Sequence, residues 1–176
     1  MTVSLRPLSE SDLPFLYHWL YEVTEPQWKQ WDGPYFAPAP HLTYDKFCQS
    51  SWACSTNNNR RIIDVAGKPV GIVTRHEEDP VGGGWYEAGI VIYDPQQWKH
   101  GIGTQALSLW TKLTFTETNA HLLTLTTWSG NERMIRCGRR IGFTECARIP
   151  QARLWDGKRW DSVKLVILRS EAERLP

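Results

Sequence analysis

Apolar and polar residues alternate from Val3 to Leu8, a period of two that predicts a short strand, and Pro7 inside it suits a sheet edge. The period then lengthens. Leu13, Leu16, Tyr17 and Leu20 recur at helical spacing behind N-cap candidates Ser9, Ser11 and Asp12, predicting a helix over 10–24. The stretch EPQWKQWDGPYFAPAP, 25–40, carries four prolines and a glycine and reads as an irregular loop, followed by a second helix over 42–54 capped by Thr43. Strand-like runs at 61–65 and 69–74, joined by Ala66-Gly67-Lys68, read as a tight hairpin. After HEEDPVGGG a third run, Trp85 to Tyr93, ends at Asp94-Pro95 and completes an antiparallel meander. Ala106, Leu107, Leu109, Trp110 and Leu113 share one helical face within 103–118. A buried-looking strand over 122–127 and a short helix over 131–141, stopped by Gly142, come next. The strands 143–155 and 160–168 then pair through the Asp156-Gly157 turn. The order β-α-α-β-β-β-α-β-α-β-β is that of an α+β fold whose third helix crosses between two central strands.

The chain has 176 residues, which fits one domain over 1–176. A net charge of +1, from 20 Lys+Arg against 19 Asp+Glu, provides neither the basic field of a nucleic-acid binder nor an acidic disordered block. Any charged ligand must therefore be met locally. Cys48, Cys54, Cys137 and Cys146 form no CxxC pair and no ligand spacing with the five histidines, so no metal is expected and the thiols read as reduced and mostly buried. No apolar run approaches the roughly 20 residues of a membrane helix, and the N-terminus lacks the pattern of a secretory signal, so the expectation is a soluble cytoplasmic protein. Four of the ten tryptophans, Trp19, Trp28, Trp31 and Trp52, fall in the first third and belong either to a core or to a pocket wall.

The segment QQWKHGIGTQAL, 96–107, raises the question of a ligand. As GxGxxA it mimics a dinucleotide fingerprint, but Asp94-Pro95 and five further residues separate Gly101 from the preceding strand, and no acidic residue stands about twenty positions on. No Gly-Lys-Ser/Thr follows, which excludes a Walker loop. What remains is a glycine-containing turn opening into a helix, where unpaired N–H groups and the helix dipole favour an anion, with Lys99 and His100 adding charge. A loop that merely turns the chain is the plainer alternative.

WKHGIG before a helix, then a strand, then Asn131-Glu132-Arg133-Met134-Ile135-Arg136 and Ile141-Gly142-Phe143, resembles the GNAT family of acetyl-CoA-dependent N-acetyltransferases, and within it the RimJ/RimL-like subgroup. The resemblance extends from LRPLSESDL to DGKRWDSVKLVILRSE. It implies a mixed, mostly antiparallel central sheet flanked by helices and acetyl-CoA as donor. It places the CoA pyrophosphate on the N–H groups of Lys99, His100, Gly101, Ile102, Gly103 and Thr104, with Trp98 at the start of the same CoA loop, the pantetheine arm beside Ile90, Val91 and Ile92, and a further CoA contact at Asn131. Arg133 and Arg136, one turn apart, either reach the CoA phosphates, with Arg136 the candidate, or are solvated at the surface. It allows a monomer or a homodimer. Trp98 stands where many members carry Gln or Arg, and Met134 replaces a small residue. The family's usual tyrosine, seven residues after the asparagine, is Gly138 here, so the thiolate's proton donor is open, with Ser129, Tyr86 and Tyr93 as substitutes. Asn131 also suits a helix cap.

An alkyl amine with a pKa of about 10 must lose a proton before it attacks a thioester. Glu87, in the apolar and aromatic stretch WYEAGIVIY, is the candidate base, since a carboxylate left unpaired there would be costly; pairing with a lysine or arginine is the alternative. Trp31, Asp32, Tyr35 and Phe36 in the proline-rich loop are candidates for holding a cationic acceptor, as are Glu77, Glu78 and Asp79. The expected activity is direct acetyl transfer to a primary amine on a protein N-terminus, polyamine or other small molecule. The competing expectation is a non-catalytic acyl-CoA sensor.

Overall fold

The computed structural model describes residues 2–53 and 57–173; Cys54 lies outside them. Seven strands form one sheet in the order β1-β2-β3-β4-β5-β7-β6, comprising β1 (Val3–Arg6), β2 (Arg60–Val65), β3 (Lys68–Glu77), β4 (Trp85–Ile92), β5 (Leu122–Trp128), β6 (Thr144–Trp155) and β7 (Lys158–Leu168). All neighbours are antiparallel except β4 and β5, which are parallel and joined by α3 (Ile102–Glu117). This is the expected α+β order, with β1 at one edge. Both hairpins turn as their residues demand, with positive φ at Ala66 and Gly67 and at Asp156 and Gly157.

Two apolar layers cover the sheet. On one face α3 and α4 (Glu132–Arg140) seal a core that includes Ile63, Val73, Ala106, Leu107, Leu125 and Leu165. Trp110 is wholly buried there, and its indole N–H donates to the Thr74 carbonyl at 2.8 Å, so the ring loses no hydrogen bond on leaving water. Arg75, also buried, lies over Trp110 at 4.6 Å and bonds Glu117 at 2.7 Å. On the other face α1 (Leu13–Tyr17), a 3-10 turn over Gln27–Gln30 and α2 (Tyr44–Cys48) pack Leu16, Trp28 and Phe47 onto Ile62, Ile72 and Tyr93.

Three expectations need correction. The first helix is not uniform: a 3-10 turn over Glu10–Asp12 leads into α1, and a wide π turn over His18–Glu22 closes it, with the Val23 N–H reaching the His18 carbonyl at 3.0 Å. The second helix is capped by Thr43 but ends at Cys48, since the Ser50 hydroxyl takes the Phe47 carbonyl at 2.6 Å and competes with continuation; a 3-10 turn over Ser51–Ala53 follows. The thiols are not mostly buried, for Cys48 and Cys137 are half-buried and Cys146 is exposed on the sheet-edge strand β6. A short α5 (Arg169–Ala172), which the hydrophobic pattern did not announce, follows β7.

Candidate active site

The sheet comes apart in its middle. β4 and β5 pair only over Trp85, Tyr86 and Glu87 against Leu122, Leu123 and Thr124, after which β5 keeps β7 and β4 keeps β3. At the two ends of the β3–β4 ladder the Glu78 N–H donates to the Trp85 carbonyl at 2.8 Å and the Tyr93 N–H to the Val70 carbonyl at 3.1 Å. With the register unbroken between them, the odd-numbered residues of β4 bond β3, and Ala88, Ile90 and Ile92 turn their main-chain groups into the gap. The Ile92 carbonyl there accepts the Trp98 indole N–H at 2.9 Å. Of the three residues expected beside a pantetheine arm, Ile90 and Ile92 therefore present backbone to the gap. Val91 gives its backbone to the β3 ladder and packs its side chain with the second core, yet it too lines the cavity beside the gap.

The gap is one wall of a cavity of about 1560 Å³ that reaches the start of α3. Lys99 and Gly101 both have left-handed φ, 67° and 79°, so the chain curls and opens into α3 with the first-turn N–H groups of Ile102, Gly103 and Thr104 lacking a preceding turn to bond. That concavity suits a pyrophosphate. Lys99, Gly101, Gly103 and Thr104 line it; Ile102 does too, though its side chain is sunk in the core. His100, set between two left-handed residues, is exposed and is not among the lining residues. A side chain at Gly101 would find room, with Gln105 Nε2 at 3.8 Å the nearest atom, so what demands glycine is the backbone angle.

The loop expected at the acceptor reaches across to the cofactor end. Asn131 caps α4, accepting the Met134 N–H at 3.2 Å, and its amide donates to the Trp31 carbonyl at 3.0 Å; Trp128 donates to the same oxygen at 3.4 Å. The Trp31 ring carries the Arg133 guanidinium at 4.5 Å, and Arg133 also lies 5.2 Å from the Trp98 ring. A cation between two indoles joins the proline-rich loop to the loop before α3, which the sequence did not reveal. Arg136 lines the cavity while pairing with Glu132 at 2.8 Å.

Gly138 faces the sheet, where a Cβ would stand 2.8 Å from Leu165 Cδ1, so a tyrosine at that position would meet the core rather than the cavity. None of the three substitute hydroxyls lines the cavity. Tyr86 bonds Asn119 at 3.3 Å, Ser129 accepts the Asp161 N–H at 2.9 Å, and Tyr93 is buried among Phe15, Trp19 and Trp28, where desolvation pushes its phenol well up.

Where β4 and β5 part, Glu87 is buried yet lines the cavity. It is paired: Lys164 on β7 donates to Oε2 at 3.2 Å, and the Thr124 hydroxyl donates to the same oxygen. Both readings of Glu87 thus describe it in part, a strand carboxylate with a lysine partner and a carboxylate facing a cleft. Trp31, Asp32, Tyr35 and Phe36 all line the cavity. Crowding by the surrounding loop raises the Asp32 carboxyl above its ordinary range, although the residue itself is exposed to solvent. From the opposite wall the β6–β7 hairpin brings Arg153 over Tyr35 at 4.8 Å and Phe36 at 5.5 Å, and Trp155 packs on Trp128 at 5.3 Å. Among the described residues no group of three or more His, Cys, Asp or Glu side chains stands ready for a metal, and no helix is long and apolar enough to cross a membrane.

A mostly antiparallel sheet that splits between two parallel strands, with an anion-receiving helix start at one end of the split and a carboxylate at the other, is built for an acyl-CoA-dependent acyltransferase. Residues 2–144 match the acetyltransferase (GNAT) domain family, and the chain belongs to that family of acetyl-CoA-dependent N-acetyltransferases. An aminoglycoside N(6')-acetyltransferase type 1 of Klebsiella pneumoniae is 26% identical over 151 residues, spanning 81% of this chain and 74% of its own. Among solved structures, spermidine N-acetyltransferase from Vibrio cholerae, in complex with CoA and spermine, superposes with a TM-score of 0.78 at 19% identity over 98% of each chain. An aminoglycoside acetyltransferase in complex with coenzyme A gives 0.72 at 21% identity, also over 98% of each chain.

Proposed function

We propose that this chain, acting as one catalytic domain over 1–176, transfers the acetyl group of acetyl-CoA directly to a primary amine of a small polycationic acceptor, of the polyamine or aminoglycoside kind. The observation that carries the reading is the single cavity that runs from the loop before α3, through the gap beside Ala88 and Ile90, to Glu87 and the acidic and aromatic walls beyond. CoA phosphates go to the N–H groups of 101–104, with Lys99, Arg136 and Asn131 at the rim. The arm lies along the free edge of β4, where a main-chain N–H of Ala88 or Ile90 polarises the thioester carbonyl. Thr124 and Lys164 hold Oε2 of Glu87 and leave Oε1, which has no hydrogen-bond partner among the described residues, to take the acceptor's proton. The freed amine attacks the carbonyl carbon, the carbon–sulfur bond breaks, and the thiolate leaves with the electron pair. Asp32 supplies charge for a second cationic group, with Trp31, Tyr35 and Phe36 as faces for it. The acceptors of the relatives, aminoglycosides and spermidine, support a small multivalent amine over a peptide N-terminus, and the cytoplasm is the location that goes with this donor.

Thiol release from acetyl-CoA across a panel of spermidine, spermine, an aminoglycoside and an N-terminal peptide tests this. Release with the multivalent amines is expected; acetyl-CoA binding without release for any amine would return the sensor reading.

A further inference from the structure

Glu87 has a difficulty as a base that its surroundings define. Being buried, it must hand on the proton it accepts in every turnover, and its two partners on Oε2 cannot take it. Lys164 is an ammonium with no acceptor, and Thr124 already receives the Trp85 indole N–H at 2.8 Å. Across the β3–β4 ladder, however, the residue directly opposite Glu87 is His76. Cross-strand partners place their Cβ atoms about 4.5–5.5 Å apart on the same face. His76 lines the same cavity, and its Nε2 meets Glu78 Oε1 at 3.2 Å, which leaves Nδ1 without a hydrogen-bond partner among the described residues. Its side chain is 67% exposed, so it stands across the ladder from a buried carboxylate while reaching bulk water.

Resting on the reading of Glu87 as base, we propose that His76, oriented by Glu78, is the relay that carries the acceptor's proton from Glu87 to solvent. The acceptor ammonium gives one proton to Glu87 Oε1, and the imidazole takes it and releases it to water. The nitrogen's second proton, lost after the carbon–nitrogen bond forms, ends on the departing CoA thiolate. One proton is therefore released per amide made, and no further reactant is needed. Histidine is suited to this because its charge changes near neutral pH. The charged groups that share its face are Glu78, Glu87 and Lys164; Glu77 turns to the N–H groups of Gly82 and Gly84, and Arg75 lies on the opposite face with Trp110. His76 touches neither core, which makes its substitution safe for folding.

The test is thiol release with spermidine by the unaltered chain, His76→Gln and Glu78→Gln. We expect His76→Gln to lower kcat about tenfold or more at neutral pH with KM changed less than twofold, and added imidazole to restore most of the loss. Glu78→Gln should show a smaller loss in kcat that imidazole also relieves. An unchanged kcat in His76→Gln, or a loss that imidazole does not relieve, overturns the relay while leaving the function in place. No release by the unaltered chain with any amine overturns both.

Discussion

At the proposed donor end of the cavity, what faces a ligand is mostly main chain: the N–H groups at the start of α3, the curl set by Lys99 and Gly101, and the free edge of β4 at Ala88 and Ile90. At the acceptor end it is side chains drawn from four separate parts of the sequence: Trp31 to Phe36, His76 and Glu78, Glu87, and Arg153 with Trp155. A backbone surface tolerates almost any side chain but needs particular φ angles, so it writes itself into the sequence as spaced glycines. A side-chain surface depends on which residues the fold brings together, and leaves no spacing to read. The donor is accordingly better defined than the acceptor.

Four substitutions press on that contrast. The largest effect is expected at the junction of the two ends. Glu87→Gln should lower kcat/KM by about 10²–10⁴ at neutral pH. The loss should shrink as pH rises and more acceptor arrives already deprotonated; a loss independent of pH would remove Glu87 as base. Next, Gly101→Val puts a β-branched residue at a φ of 79°, a strain of about 1–2 kcal/mol, so acetyl-CoA affinity should fall at least tenfold by calorimetry. Acceptor KM at saturating acetyl-CoA should hardly move.

Asp32→Asn is the opposite case, expected to raise KM for spermidine severalfold and leave acetyl-CoA affinity alone. Because desolvation raises the Asp32 carboxyl, its ionised form, the one that attracts a cation, is lost at a higher pH than for an ordinary carboxylate. By the same sign, KM for spermidine should climb as pH falls through a value above the ordinary carboxylate range. The smallest effect belongs to neither end. Asp12 is opposed by burial but is held below its ordinary range by the Arg6 guanidinium at 2.7 Å and by the Ser9 donors. Its lowered value means that its stabilisation is present at neutral pH and drains away as pH falls below the usual carboxylate value towards its own. Asp12→Asn should cost about 1 kcal/mol in urea unfolding at pH 7, since Arg6 is a third exposed, and almost nothing at strongly acid pH. Both kinetic constants should stay as they were.

The hydrophobic periods placed every strand and the crossing helix α3 because each buries one coherent face, and Asp156-Gly157 and Ala66-Gly67 announced their hairpins by needing left-handed φ. The first two helices were less legible: the π turn at His18–Glu22 and the early stop at Cys48 come from local hydrogen bonds that periodicity does not register. In the site, Gly101 and Asn131 were readable from a motif, and Glu87 from being polar in an apolar strand. His76 and Lys164 were not, because their meaning arises only from the registers that set them against Glu87 and Thr126. Nothing in the sequence set Arg133 apart from a solvated helix residue or a phosphate contact; its place between two indoles comes from the fold, which brings Trp31 and Trp98 to either side of it. Gly138 looked like a lost tyrosine; its Cβ direction shows a position turned into the sheet.

The division between a backbone-built donor end and a side-chain-built acceptor end is tested most directly by measuring acetyl-CoA dissociation constants and spermidine KM on Gly101→Val and Asp32→Asn together. A separated outcome is expected, with the dissociation constant raised at least tenfold only by Gly101→Val and the KM raised severalfold only by Asp32→Asn. If Asp32→Asn weakened acetyl-CoA as much as Gly101→Val, or if Gly101→Val left acetyl-CoA binding unchanged, the division would be wrong.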